Sequence, residues 1–196
     1  KLSRADLTRV FVVLTVATAC GGVIFNATTI AMPKVFDERL AALTHSTFGI
    51  GALVCGVYLI AAMAQLCVGW WLDRRTLKSV FVPVVALQVP LLWLAGTTEN
   101  YLMLAVAVAM MFFVFGQIPI NDAMIARYTA EEWRARAYAV RYVVSFGGSA
   151  LAVPLVAWVY RSSGDFRGLY FMLAALALAS LVAALFFPAE RAKAAA

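Results

Sequence analysis

The stretch Gly69–Ser79, GWWLDRRTLKS, decides how this chain is read. It sets a glycine, one carboxylate and three cations between two segments that carry no charge at all. Ser46–Leu72 precedes it and Ser79–Thr98 follows, both free of Asp, Glu, Lys, Arg and His. The same holds for Val10–Pro33, Asn100–Asn121, Tyr142–Tyr160 and Gly168–Ala189. The six runs are 19 to 27 residues long, against the ~20 residues at 1.5 Å rise that a helix needs to cross the hydrocarbon. They predict an all-α integral membrane protein with transmembrane spans near 10–33, 48–72, 79–97, 101–121, 139–160 and 169–187.

Composition agrees. Hydrophobic residues make up 64% of the 196, only 13% are charged, and the mean hydropathy is +0.89. A soluble domain needs far more charge to cover its surface. The six spans take up almost the whole chain, which predicts one bundle over residues 1–196 and no soluble domain. The net charge of +6 does not point to nucleic acid, because its distribution follows the loops. With the N-terminal segment in the cytoplasm, Lys1, Arg4, Arg9, Arg74, Arg75, Lys78, Arg127, Arg134, Arg136, Arg141, Arg191 and Lys193 lie inside. Only Lys34, Arg39, Arg161 and Arg167 lie outside. That bias is the positive-inside pattern, and it predicts a multi-pass protein of the plasma (bacterial inner) membrane with both termini cytoplasmic. The lipid bilayer is then the first partner, with anionic lipid drawn to the basic loops.

The residues that could carry enzyme chemistry are sparse. His45 is the only histidine and falls in a loop, so a Ser–His dyad with Ser149 lacks any supporting motif. Cys20, Cys55 and Cys67 lie within spans at spacings unlike metal-ligand sets, and read as small buried hydrophobes. No metal, cofactor or catalytic residue is expected.

The very short turn around Glu99 makes the third and fourth spans antiparallel neighbours. It divides the chain into three spans plus three, and an odd number of crossings inverts the second copy, as in an inverted-topology repeat. Pro83, Pro90, Pro119 and Pro154 fall inside spans and favour kinks. Small residues four apart (Ala52/Gly56, Ser145/Ser149, Gly148/Ala152) allow close helix approach.

In the loop itself, Gly69 permits close backbone approach one turn before Asp73. The carboxylate can accept from arginines or face a helix N-terminus. The pattern Gly69-x-x-x-Asp73-Arg74-x-x-x-Lys78, between a second and a third span, resembles the signature of the major facilitator superfamily, G-x-x-x-D-[RK]-x-G-[RK]-[RK]. Thr76 replaces the second glycine and Leu77 the first of the final cations, which suits the weaker copy in that family's C-terminal half. GGVIFNATTIAMPKVF from Gly21 is similar to the family's helix 7. FGQIPINDAMIARYTAEEWRARAYAVRY from Phe115 is similar to helix 10, its basic loop and the start of helix 11. The resemblance implies helices 7–12 of a twelve-helix secondary transporter, with Gly69, Asp73, Arg74, Arg75 and Lys78 as a conformational switch loop. By the family's pseudo-symmetry, Arg134, Arg136 and Arg141 would receive the signature of a missing N-terminal half. Asp122, close in sequence to these arginines, completes an expected cytoplasmic charge network.

Family carriers bind solute at the midplane between their halves. Helical periodicity groups Gly22, Asn26 and Thr29 on one side of the first span, and Phe113, Gln117 and Asn121 on one side of the fourth. Asn26, Thr29, Phe113, Gln117 and Asn121 are therefore the pathway candidates, with interhelical hydrogen bonding as the competing account of the amides. Gln65 and Gln88 read as structural, and Phe25, Tyr58, Phe112 and Trp93 as core or lipid-facing. No span holds an ionisable residue near its centre, so a proton relay or counter-ion would belong to the other half. The expected function is half of a carrier moving a small solute by alternating access, its partner being the missing half. The alternatives are a half-size carrier pairing with a second copy of itself, or a non-transporting scaffold.

Overall fold

A computed structural model describes residues 4–187. Side chains are described from Arg9 onward except at position 149, so the side chains of Lys1, Arg4, Ser149, Arg191 and Lys193 lie outside the described set. The described residues form six helices: α1 (Arg4–Arg39), α2 (Thr47–Arg74), α3 (Leu77–Ala95), α4 (Asn100–Tyr128), α5 (Glu131–Ser163) and α6 (Arg167–Leu185). All six contain a stretch long and apolar enough to cross a membrane.

Whereas α3 and α6, at 19 residues each, do not outrun the charge-free runs, α1, α2, α4 and α5 do, because helix ends need not coincide with the membrane edge. Their backbones stop where local chemistry stops them. Ser46 starts α2, its hydroxyl accepting from the Gly49 amide at 2.9 Å. Gly164 ends α5 at φ 73°, a left-handed conformation that costs a residue with Cβ far more than glycine. At the other ends, basic side chains from neighbouring elements donate to the last carbonyls, where the helix dipole is negative. Arg39 reaches Ala95 O of α3 at 2.6 Å, and Arg127 reaches Leu72 O of α2 at 2.6 Å. Lys78 reaches Leu185 O and Phe187 O beyond α6, each at 2.8 Å.

The packing has the symmetry of a three-plus-three repeat. Exchange α1 with α4, α2 with α5 and α3 with α6, and each major contact maps onto another: α1–α5 onto α4–α2, and α1–α6 onto α4–α3. The α1–α4 and α3–α6 contacts map onto themselves. The three-plus-three division that the Glu99 turn implies is therefore present in the way the helices meet.

These contacts order the elements as a front row, α2–α4–α1–α5, with the α3–α6 pair behind α4 and α1. On α2, Val54, Val57, Ala61, Ala64, Val68 and Leu72 recur at helical spacing and are buried. Gly116 lets α2 approach α4: a Cβ there would stand 3.0 Å from Val68 Cγ2. Gly148 does the same for α5 on α1, its would-be Cβ 3.7 Å from the backbone carbon of Gly22. Cys20 is half-buried, whereas Cys55 and Cys67 are exposed on α2. The burial expected of those two is absent because they lie off the face that meets α4. All three are free thiols.

Candidate functional site

The polar residues of the spans fall into two groups on opposite sides of α4. At 100° per residue, Phe115 stands about 160° around the helix from both Phe113 and Gln117. Gln117 points to the rear and is 4% exposed. Its Oε1 accepts from Gln88 Nε2 of α3 at 3.0 Å, and its Nε2 donates to Ala17 O of α1 at 3.3 Å. Gln88 Nε2 also donates to Phe113 O at 3.0 Å. Only an amide nitrogen can satisfy both acceptors, which fixes the orientation of Gln88 and then of Gln117. The chain of bonds thus ties α1, α3 and α4 together. Gly21 makes room for it, since a Cβ there would lie 2.9 Å from Gln117 Nε2. Asn121 is buried one turn further along, its Oδ1 without a hydrogen-bond partner among the described residues. The Phe113 ring is half-buried, edge-on to Phe112 at 5.5 Å.

On α1, the Asn26 amide donates to Gly22 O at 2.7 Å and the Thr29 hydroxyl to Phe25 O at 2.6 Å, so both satisfy part of their capacity on their own helix. Both are half-buried. They share the side of α1 that bears Gly22 and Phe25, between α4 and α5. The structure therefore brings Asn26 and Thr29 to the front of the bundle and turns Phe113, Gln117 and Asn121 toward its interior.

The front of α4 is instead formed by Val108, Phe115 and Asp122, seven residues apart and all half-buried. The Phe115 ring sits between Phe25 of α1, centroids 5.0 Å apart, and Tyr58 of α2, centroids 6.1 Å apart. The Tyr58 hydroxyl donates to Thr29 O at 2.9 Å, bridging α2 to α1 across α4. Sequence reasoning missed this cluster. Its members are far apart in the chain, and nothing in single-helix periodicity says which rings will meet.

At the end of the bundle bearing the Gly69–Ser79 loop, Asp122 accepts from Arg141 in an ion pair between α4 and α5. The Tyr138 hydroxyl donates to the Asp122 carbonyl at 3.1 Å, reinforcing the crossing. Arg134 and Arg136 stand apart from this pair. Arg136 lies over the Trp133 ring at 4.7 Å, and Arg134 Nε is buried without a hydrogen-bond partner among the described residues. The expected loop is mostly helical: Gly69 to Arg74 form the last turns of α2, Leu77 to Ser79 begin α3, and only Arg75 and Thr76 lie between them. Arg74 lies over Trp70 at 3.8 Å, and the Arg75 amide donates to Trp71 O at 2.9 Å. Lys78 is occupied with the end of α6. Asp73 is exposed and has no ion-pair or hydrogen-bond partner among the described residues. A Cβ on Gly69 would meet nothing within 4 Å. The acidic end of the signature is thus exposed and unengaged among the described residues. Among the described residues there is also no cluster of His, Cys, Asp or Glu that could hold a metal ion.

No curated protein matches the chain. The family comparison is decisive by contrast, for the sequence model of the Major Facilitator Superfamily matches residues 9–196, from the first turns of α1 to the C-terminus. With six membrane-length helices packed as a three-plus-three repeat, the chain belongs to the Major Facilitator Superfamily, a family of transporters, and forms one six-helix half of that fold.

Proposed function

We propose that the chain is half of a secondary active transporter that moves a small organic solute across the cytoplasmic membrane by alternating access. The observation that carries this reading is that Asp73 is exposed and has no ion-pair or hydrogen-bond partner among the described residues. Arg74 and Lys78 of the signature are engaged within the chain, and Asp122 is engaged by Arg141. The Asp73 side chain is exposed instead. A carboxylate placed this way can dock on the positive N-terminus of a helix, or on basic side chains, in a second six-helix half. That contact closes one end of the pathway and favours the state open at the opposite end. It breaks and re-forms as the halves rock.

The test is Asp73→Asn in the carrier that contains this chain, with Thr29→Cys as the sole cysteine. Removing the charge weakens the docked state, so labelling of Thr29→Cys by an impermeant maleimide from the extracellular side falls. An unchanged labelling rate from both sides of the membrane would remove the switch role from Asp73.

A further inference from the structure

The front of the bundle holds three aromatic rings from three helices, and their arrangement says more than that the face is apolar. Phe25 and Phe115 meet tilted at 49°, and Phe115 stacks on Tyr58 with planes 24° apart. Tyr58 is held by its bond to Thr29 O, so its ring cannot rotate away without losing a hydrogen bond at bilayer depth. Each ring is half-buried against the core and half-open. The wall is therefore fixed before anything binds, which lowers the ordering cost of binding.

Charge narrows what such a wall can take. The charge-free runs that include Phe25, Tyr58 and Phe115 supply no cation to meet an anionic group. Ring faces carry the negative side of the aromatic quadrupole, which attracts cations and repels anions. Resting on the carrier reading, we propose that Phe25, Tyr58 and Phe115 form the recognition wall for an organic solute with a flat apolar or π face, neutral or cationic. The Thr29 and Asn26 side of α1 borders that wall and offers polar edges to the same solute.

Tetraphenylphosphonium serves as the probe, and tetrapropylammonium as the cation of equal charge without rings. Equilibrium dialysis against the carrier in nanodiscs of zwitterionic lipid gives saturable tetraphenylphosphonium binding. Phe25→Leu, Tyr58→Leu and Phe115→Leu each weaken it by about two- to tenfold, the range expected for one aromatic contact. Tyr58→Phe keeps the ring and stays within about twofold, which separates loss of the wall from loss of folding. Phe146→Leu, on the open side of α5, leaves binding unchanged. Non-saturable uptake, equal affinity in Phe115→Leu, or equal competition by tetrapropylammonium overturns the assignment. Solute flux through proteoliposomes without tetraphenylphosphonium binding overturns the wall alone. Binding with no response of accessibility to Asp73→Asn overturns the switch alone.

Discussion

Helices α4 and α5 are both long and apolar, yet they live differently. Half of the span window of α4 is buried inside the bundle, against 18% for α5. Hydrophobicity does not separate them, because lipid and protein interior are equally apolar surroundings for Leu, Val or Phe. Small and polar residues do separate them. α4 turns Gly116, Gln117 and Asn121 inward and is gripped on three sides by α2, α3 and α1. α5 rests mainly on α1, through Gly148 and the buried Ala152, and leaves most of its surface open. The first is the pillar of this half, the second a flank available to another.

Adjacent glycines of α5 give the widest test of that contrast. Gly148→Leu forces a side chain into the α1 crossing and should destabilise the chain by about 1–3 kcal/mol in detergent unfolding. Gly147→Leu points into open space and should leave its stability nearly unchanged. Equal losses from both would mean that α5 is packed all round. On α4, Gln88→Leu removes the donor for both Gln117 Oε1 and Phe113 O. A loss of about 1–2 kcal/mol is expected, with a Gln88–Gln117 coupling of about 0.6 kcal/mol in a double-mutant cycle. Coupling near zero would detach α3 from the pillar.

Smaller effects belong where α4 and α5 join, and at the helix ends. Asp122→Asn removes the partly exposed pair with Arg141 and should lower the melting free energy by about 0.5–1 kcal/mol, less at high salt. A salt-independent loss would locate the effect elsewhere than in charge. Lys78→Ala uncaps α6 and should cost about 0.5 kcal/mol, seen as faster amide exchange confined to the last turn of α6.

The six spans were legible because charge is excluded from the hydrocarbon, a constraint each segment meets alone. The Gly69–Ser79 signature was legible because its spacing lies within one short stretch of sequence, from the end of α2 to the start of α3. Facing was only half legible. Periodicity grouped Phe113, Gln117 and Asn121 correctly as one side of α4, but could not say whether that side met α3 or open space. The partner that answers the question, Gln88, lies on another helix. For the same reason Phe25, Tyr58 and Phe115 gave no signal, since their contact exists only once α1, α2 and α4 are assembled. The charge network was read as four residues, of which Asp122 and Arg141 form an ion pair among the described residues.

On the proposed function, the front of α1 and α4 lines a watered pathway while the rear faces lipid. Single cysteines decide it, placed in the carrier after replacement of Cys20, Cys55 and Cys67. Thr29→Cys and Val108→Cys on the front should react with an impermeant maleimide, and added solute should slow that reaction. Leu178→Cys, exposed on α6 at the rear, should not react. Unreactive front positions, or reactivity equal to that of Leu178→Cys, would mean that the front of α1 and α4 does not line a pathway.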